Sequence, residues 1–229
     1  NMLLSGETID YGPCAFMDHY HPETVFSSID HRGRYAYGNQ PAIAQWNLAR
    51  LAETLLPLIH VDPQAAVEPA TAVVAGFTPR FDAHLSARMR AKLGLAEARQ
   101  HDDLLVSHLL GLMQQGRADF TLVFRHLADA IGPEAIEPGA DLAALRAQFQ
   151  EPSALDPWLA DWRARLAAEP METAARRVAM LRVNPLFIPR NHRVEAALTA
   201  ASERGDLAPF QRLLAAIQRP YATQVGNED

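Results

Sequence analysis

A mainly α-helical chain with a short β-hairpin at its N-terminus is the fold class this sequence predicts, and three observations predict it. From Pro41 onward apolar residues recur at spacings of three and four, the pattern of helices with one buried face. Proline and glycine break that pattern at helix-length intervals, at Pro57 to Pro63, Gly76, Gly116, Pro133 to Gly139, Pro170 and Gly205. Only the first residues obey another rule: Met2, Leu3 and Leu4 form an apolar run, Ser5-Gly6-Glu7 is turn chemistry, and Thr8-Ile9 returns to β-formers.

The elements follow in order. Residues 1–13 read as the hairpin, with Asn1 and Asp10 at its two open ends. Residues 14–40 read as a loop anchored by Phe16, Tyr20, Phe26, Tyr35 and Tyr37 and broken by Pro22, Gly33 and Gly38; loops of this length in compact domains are usually functional or disordered. Within it, His19 and His21 beside Asp18 suggest metal ligands by type, but their spacing on a loop suits surface polar residues. Arg32 and Arg34 flank Gly33, and their guanidinium forks suit a phosphate, a carboxylate, or pairing with Asp30 or Glu23 to fix the loop; loop anchoring is the commoner role. Asn39-Gln40 offers cap chemistry and Pro41 a first helical position, after which Ile43, Trp46, Leu48, Leu51, Leu55 and Leu58 trace a stripe that ends near Pro57 to Pro63. This helix is expected at the centre of the lobe, with Trp46 in its core.

Residues 64 to 95 continue in helix, with interruptions expected at Pro69 and at Gly76 to Pro79. Phe81, Leu85, Met89 and Leu93 form an inner stripe, and Arg88 and Lys92 a solvated face. Further helices are expected over 104–113 and 119–131, with His108 and His126 at the edge of the core. Asp141 can cap a helix whose inner face is Leu142, Leu145 and Phe149. Trp158 and Trp162 share a face of the helix within 153–168. Another helix follows from Pro170 to Leu181, then a rigid crossing over 184–189 with two prolines, then helices over 191–204 and 207–217 joined by Gly205-Asp206. The division expected is a single helical lobe over 1–229: a metal-site hairpin at 1–13, a loop at 14–40, a bundle at 41–221 and a tail at 222–229.

Composition limits the function. The 229 residues are 48% hydrophobic, ample for a buried core, and the net charge of −6 argues against a nucleic-acid surface. One cysteine, Cys14, excludes an internal disulfide and fits a reducing compartment. No stretch approaches the ~20 apolar residues of a membrane-spanning helix, and no leader pattern opens the chain, so a soluble, cytoplasmic protein without membrane partners is expected.

The chemistry points to Asn1 and Asp10. An amide oxygen and a carboxylate brought together by a hairpin suit a hard divalent cation, Mg²⁺ or Mn²⁺, which takes oxygen ligands and shares them with substrate phosphates. Gly12 lets the backbone turn away once the ligand is placed. In kinases a catalytic-loop Asn and the Asp of an Asp-Phe-Gly triplet hold ions in this way. An Asp near a Gly is also ordinary turn chemistry, so the spacing alone leaves both readings open.

Longer motifs carry a resemblance. Asn1-Met2, Thr8 to Pro13, Phe16-Met17-Asp18, the run Gly33-Arg34-Tyr35-Ala36-Tyr37-Gly38-Asn39-Gln40-Pro41 and Trp46-Asn47-Leu48 resemble the SelO (YdiU) family of protein adenylyltransferases. So do Asn184-Pro185, Arg190-Asn191, Gly205-Asp206, Leu213-Leu214 and Arg219-Pro220 near the other end. The resemblance implies the C-terminal lobe of a protein-kinase-like fold, which transfers AMP from ATP to Ser, Thr or Tyr hydroxyls of protein substrates. It implies that Asn1 binds metal, that Asp10 binds metal and nucleotide, and that residues 14–40 are the activation-loop equivalent. The family's proposed base, an Asp directly before that Asn, falls outside the chain. With no glycine-rich G-x-G-x-x-G loop, and with Lys92 as its only lysine, the chain reads as the downstream piece of a longer protein, inactive alone. A phosphotransferase of the same fold would use the same ligands, and a non-catalytic helical interaction module would use neither.

Overall fold

The computed structural model describes residues 2–3, 5–7, 14–131 and 142–224. Among these the chain is mainly helical, and its β-structure is an isolated antiparallel bridge between His19 and Asp119. The predicted hairpin therefore has no support in its described part. Ser5-Gly6 does turn, with Gly6 at φ 74° donating its N–H to the Leu3 carbonyl at 3.1 Å. A turn alone does not pair strands, and an isolated two-stranded hairpin is marginal in water. Asn1, Leu4, Thr8 to Pro13 and Asp141 lie outside the described residues.

The chain divides into two compact units, one of Asn1–Ala15 with Pro22–Ser86 and one of Phe16–His21 with Ala87–Asp229. The first holds a 3₁₀ turn at Tyr37–Asn39 and helices α1 (Gln40–Ile59) and α2 (Pro63–Ala75), with most of α3 (Phe77–Lys92). Pro41 stands in the first turn of α1 as expected, but Asn39 does not cap it: its side-chain amide donates instead to the Gly33 carbonyl at 2.8 Å. Pro57 lies in the last turn of α1 and Pro69 is accommodated within α2, so the break expected at Pro69 does not occur. Asp62 caps α2 by accepting the Gln64 N–H at 3.0 Å. The helices α1 and α2 pack through Ala66 and Ala70, which are small enough to let backbones approach, and no residue of α1 is fully buried. Trp46 in particular is 46% exposed, not a core residue.

The second unit holds α4 (Asp102–Gln115), α5 (Phe120–Asp129), α6 (Leu142–Arg146), a 3₁₀ turn at Pro152–Leu155, α7 (Asp156–Ala167), α8 (Thr173–Val183), α9 (Asn191–Arg204) and α10 (Ala208–Ile217). Its core includes Leu93, Leu109, Phe124, Leu145 and Met180, all fully buried. Trp158 and Trp162 stack with ring centroids 5.8 Å apart. Each indole N–H finds a backbone carbonyl, Leu105 at 2.8 Å and Leu93 at 2.9 Å, which removes the penalty of burying it. Gly94, at φ 76°, sits where a Cβ would meet the Met180 sulfur at 2.6 Å, so α3 and α8 close over a position that only glycine fits. No helix among the described residues is long and apolar enough to cross a membrane.

Lys92 is not on a solvated face. Its Nζ donates to the Asn184 Oδ1 at 3.2 Å and the Val183 carbonyl at 3.4 Å and lies 5.0 Å from the Phe124 ring centroid. Burial pushes its pKa down from 10.5 to about 8. Between those values the unfolded chain holds a proton the folded chain has lost, so stability rises as pH climbs from about 8 to 10.5. The rise is at most about 3 kcal/mol, since one pKa unit is worth about 1.4 kcal/mol. Urea midpoints measured across this range should climb for the wild type and climb less for Lys92→Met; parallel curves would contradict the burial of the charge.

Candidate functional site

The predicted ligands Asn1 and Asp10 lie outside the described residues, so no distance is assigned to them. Their chemistry is that of hard oxygen donors, which fits a divalent cation bound next to phosphate. Among the described residues no group of three His, Cys, Asp or Glu side chains is gathered to hold a metal. His21 Nε2 instead lies 3.3 Å from the Gln114 amide nitrogen and Asp18 pairs with Arg190, while His19 takes part through its backbone in the bridge to Asp119.

What the structure does define is how the segment after Asp10 is held. In the second unit, Phe16 to His21 runs beside the start of α5. Tyr20 donates its N–H to the Ala118 carbonyl at 2.9 Å, Phe120 donates to the Asp18 carbonyl at 2.8 Å, and the Tyr20 and Phe120 rings stack at 5.6 Å. Two adjacent residues at the start of α9 complete the hold. The Asn191 side chain makes a two-point contact with the Phe16 backbone, accepting its N–H and donating to its carbonyl, both at 2.8 Å. Arg190 Nη1 donates to Asp18 Oδ1 at 2.7 Å and also to Asp119 Oδ2.

Asp119 serves two elements at once. Its Oδ1 accepts the N–H groups of Thr121 and Leu122 and caps α5, while its Oδ2 takes Arg190. Burial disfavours the Arg190 charge, yet its hydrogen bonds to Asp119 and Asp18 outweigh that and raise its pKa above the ordinary value. Charge-assisted bonds are the stronger kind, and the one to Asp119 is the better shielded from water of the two. The motif residues Phe16, Asp18, Arg190 and Asn191, more than 170 positions apart in the chain, are thus one cluster. Sequence reading assigned them no joint role, because pairing over that separation leaves no local pattern.

In the first unit, the loop that follows is built around backbone bonds. Tyr37 and Gly38 donate to the carbonyls of Thr24 and Pro22 at 3.0 and 2.8 Å, and a Cβ on Gly38 would lie 3.2 Å from the latter oxygen. Gly33 turns at φ 64°. The loop is indeed anchored through Asp30, but not by an arginine side chain. The Asp30 carboxylate accepts the backbone N–H groups of Arg34 at 2.9 Å and Tyr35 at 2.8 Å. The Arg34 guanidinium is left to stack on Trp46, 4.5 Å from the ring centroid, with Arg50 over the same ring at 5.3 Å.

Comparison with known proteins agrees with the motifs. A family model described as "Protein adenylyltransferase SelO" matches residues 1–218. The chain is similar to a protein nucleotidyltransferase YdiU of Rhizobium leguminosarum bv. trifolii, 57% identical over 226 residues that make up 99% of this chain and 44% of that protein. It is 56% identical over 224 residues to the YdiU of Rhizobium etli, with 98% and 44% covered. Against that of Methylorubrum extorquens it is 53% identical over 225 residues, with 98% and 45% covered. The chain therefore spans less than half the length of these relatives.

Proposed function

This chain belongs to the SelO family of protein adenylyltransferases, and from that premise we propose that it supplies the metal-binding part of an enzyme that transfers AMP from ATP to hydroxyl groups of proteins. The observation that carries the reading is the extent of the family match, which begins at residue 1 and so runs through Asn1 and Asp10. The names of the relatives agree with nucleotidyl transfer.

On this reading the helical units are the C-terminal lobe of a kinase-like fold. The amide oxygen of Asn1 and the carboxylate of Asp10 would hold Mg²⁺ or Mn²⁺. A cation there neutralises phosphate charge as it develops, which is most of what phosphoryl-centre chemistry asks of a protein. Asp10 also orients the nucleotide. The side chains of Arg190 and Asn191 hold the segment that follows Asp10 in sequence, and residues 14–40 act as the loop nearest the protein acceptor.

The test uses ATP labelled at one phosphate or another, in a protein of the relatives' full length. Label at the α-phosphate should appear on acceptor protein in the presence of Mg²⁺ or Mn²⁺, and label at the γ-phosphate should not. Transfer of γ-label would make the protein a phosphotransferase. No metal-dependent nucleotide binding at all would leave a helical interaction module.

A further inference from the structure

The run from Gly33 to Pro41 carries much of the family resemblance, and nearly every residue whose contacts are described there has a local structural task. Gly33 and Gly38 meet backbone demands, Ala36 is buried, Tyr37 pairs with Thr24 through its backbone, Asn39 ties back to Gly33, and Pro41 starts α1. Arg34 is different. Its backbone is held by Asp30, but among the described residues no carboxylate pairs with its guanidinium. That group rests on an indole that is itself 46% exposed.

Together they form a groove of about 460 Å³, lined by Arg34, Asn39, Ala42, Ile43 and Trp46. No acidic residue lines it, in a chain whose net charge is −6. A second cation, Arg50, lies over Trp46, shared with the exposed Glu53. The charge of the groove calls for an anion, and its apolar walls call for a ligand with carbon surface as well.

We propose that this groove docks an acidic side chain of the protein acceptor, its carboxylate on the Arg34 guanidinium and its methylenes along Trp46 and Ile43. This rests on the reading of the chain as part of a protein-modifying enzyme. A phosphate or nucleotide fits less well. Phosphate sites gather several donors, often backbone N–H groups, and here the N–H groups of Arg34 and Tyr35 are taken by Asp30 and the Asn39 amide by Gly33. One fork-shaped guanidinium matches one carboxylate.

The experiment compares fluorescent serine peptides flanked by glutamate, glutamine or lysine, in a protein of full length, by anisotropy and by transfer of α-phosphate label. The glutamate peptide should bind most tightly. Arg34→Glu should weaken it about tenfold or more, the equivalent of one lost ion pair in a partly apolar groove, should favour the lysine peptide, and should leave the KM for ATP unchanged. The Arg34 side chain makes no hydrogen bond among the described residues, so the variant should fold, as thermal unfolding can verify. Equal affinity of the wild type for the glutamate and glutamine peptides would overturn the proposal. So would an Arg34→Glu effect confined to ATP, which would make this a nucleotide contact. If the wild type binds the acidic peptide through Arg34 but transfers no AMP, the groove stands and the transferase reading falls. If transfer occurs and Arg34→Glu is indifferent to peptide charge, the transferase reading stands and the groove falls.

Discussion

Asp10→Ala in a protein of the relatives' full length is expected to abolish AMP transfer while the fold is retained. A carboxylate holding a divalent ion next to phosphate contributes several kcal/mol of charge stabilisation, so its removal should slow transfer at least about a thousandfold. The neutral amide of Asn1 brings less charge, and Asn1→Ala should lose less and recover part of the loss as Mg²⁺ is raised. The readout is α-phosphate label on acceptor protein, with thermal unfolding alongside to show that the variants are folded. If Asp10→Ala labels its acceptor at the wild-type rate in excess Mg²⁺, the assignment of that carboxylate is wrong.

The second large effect is on stability. Glu169 has a side chain only 1% exposed, which is tolerable because every oxygen is used. Its Oε2 accepts the Ala96 N–H at 2.9 Å, its Oε1 accepts the Glu97 N–H at 3.1 Å, and Arg165 Nη1 lies 2.8 Å from Oε1. Arg176, also buried, has Glu169 at 3.9 Å. Burial opposes the Glu169 charge, but the bonds to Ala96, Glu97 and Arg165 hold its carboxyl below the ordinary range. Glu169→Ala removes the acceptor of the Ala96 and Glu97 N–H groups. Arg165 would retain Asp102 at 2.7 Å, but Arg176 would be left with backbone carbonyls alone.

A loss of about 3–5 kcal/mol is expected, most of it the penalty for the partners left behind. Glu169→Gln, which keeps the shape and one oxygen, should lose less. The contribution is present above pH 4.5 and fades as the pH falls through the depressed folded value, so the two proteins should converge in acid. Urea midpoints at pH 7 and under acid conditions measure both. Equal midpoints at pH 7 would mean that the buried carboxylate contributes nothing net.

How much of this was legible depends on the range of the interaction. Helices α1, α4, α5, α7, α9 and α10 follow closely from apolar spacing and from Pro and Gly signals, because helix formation is governed by neighbours three and four positions apart. The same locality misled at Asn39, whose cap chemistry is spent on Gly33, and at Pro69, which a helix packed through Ala66 and Ala70 tolerates. Trp46 was expected in a core on residue type alone, yet it is half-exposed and meets the guanidinium groups of Arg34 and Arg50. Lys92 lies on a face that spacing marks as solvated, and the Asn184 side chain from the far end of the chain covers it.

The candidate site divides in the same way. Asn1 and Asp10 were singled out by residue type and motif, and they remain assignments of the sequence. The cluster of Phe16, Asp18, Asp119, Arg190 and Asn191, and the Arg34–Trp46 groove, came from the structure. By itself the amino-acid order determined the helical class and the family, since these depend on short-range pattern and on extended motifs, and it is the source of the donors proposed for a cation. Tertiary packing alone decided which charges are buried in pairs and which guanidinium is left facing an open groove, because electrostatic partners are chosen by proximity in space.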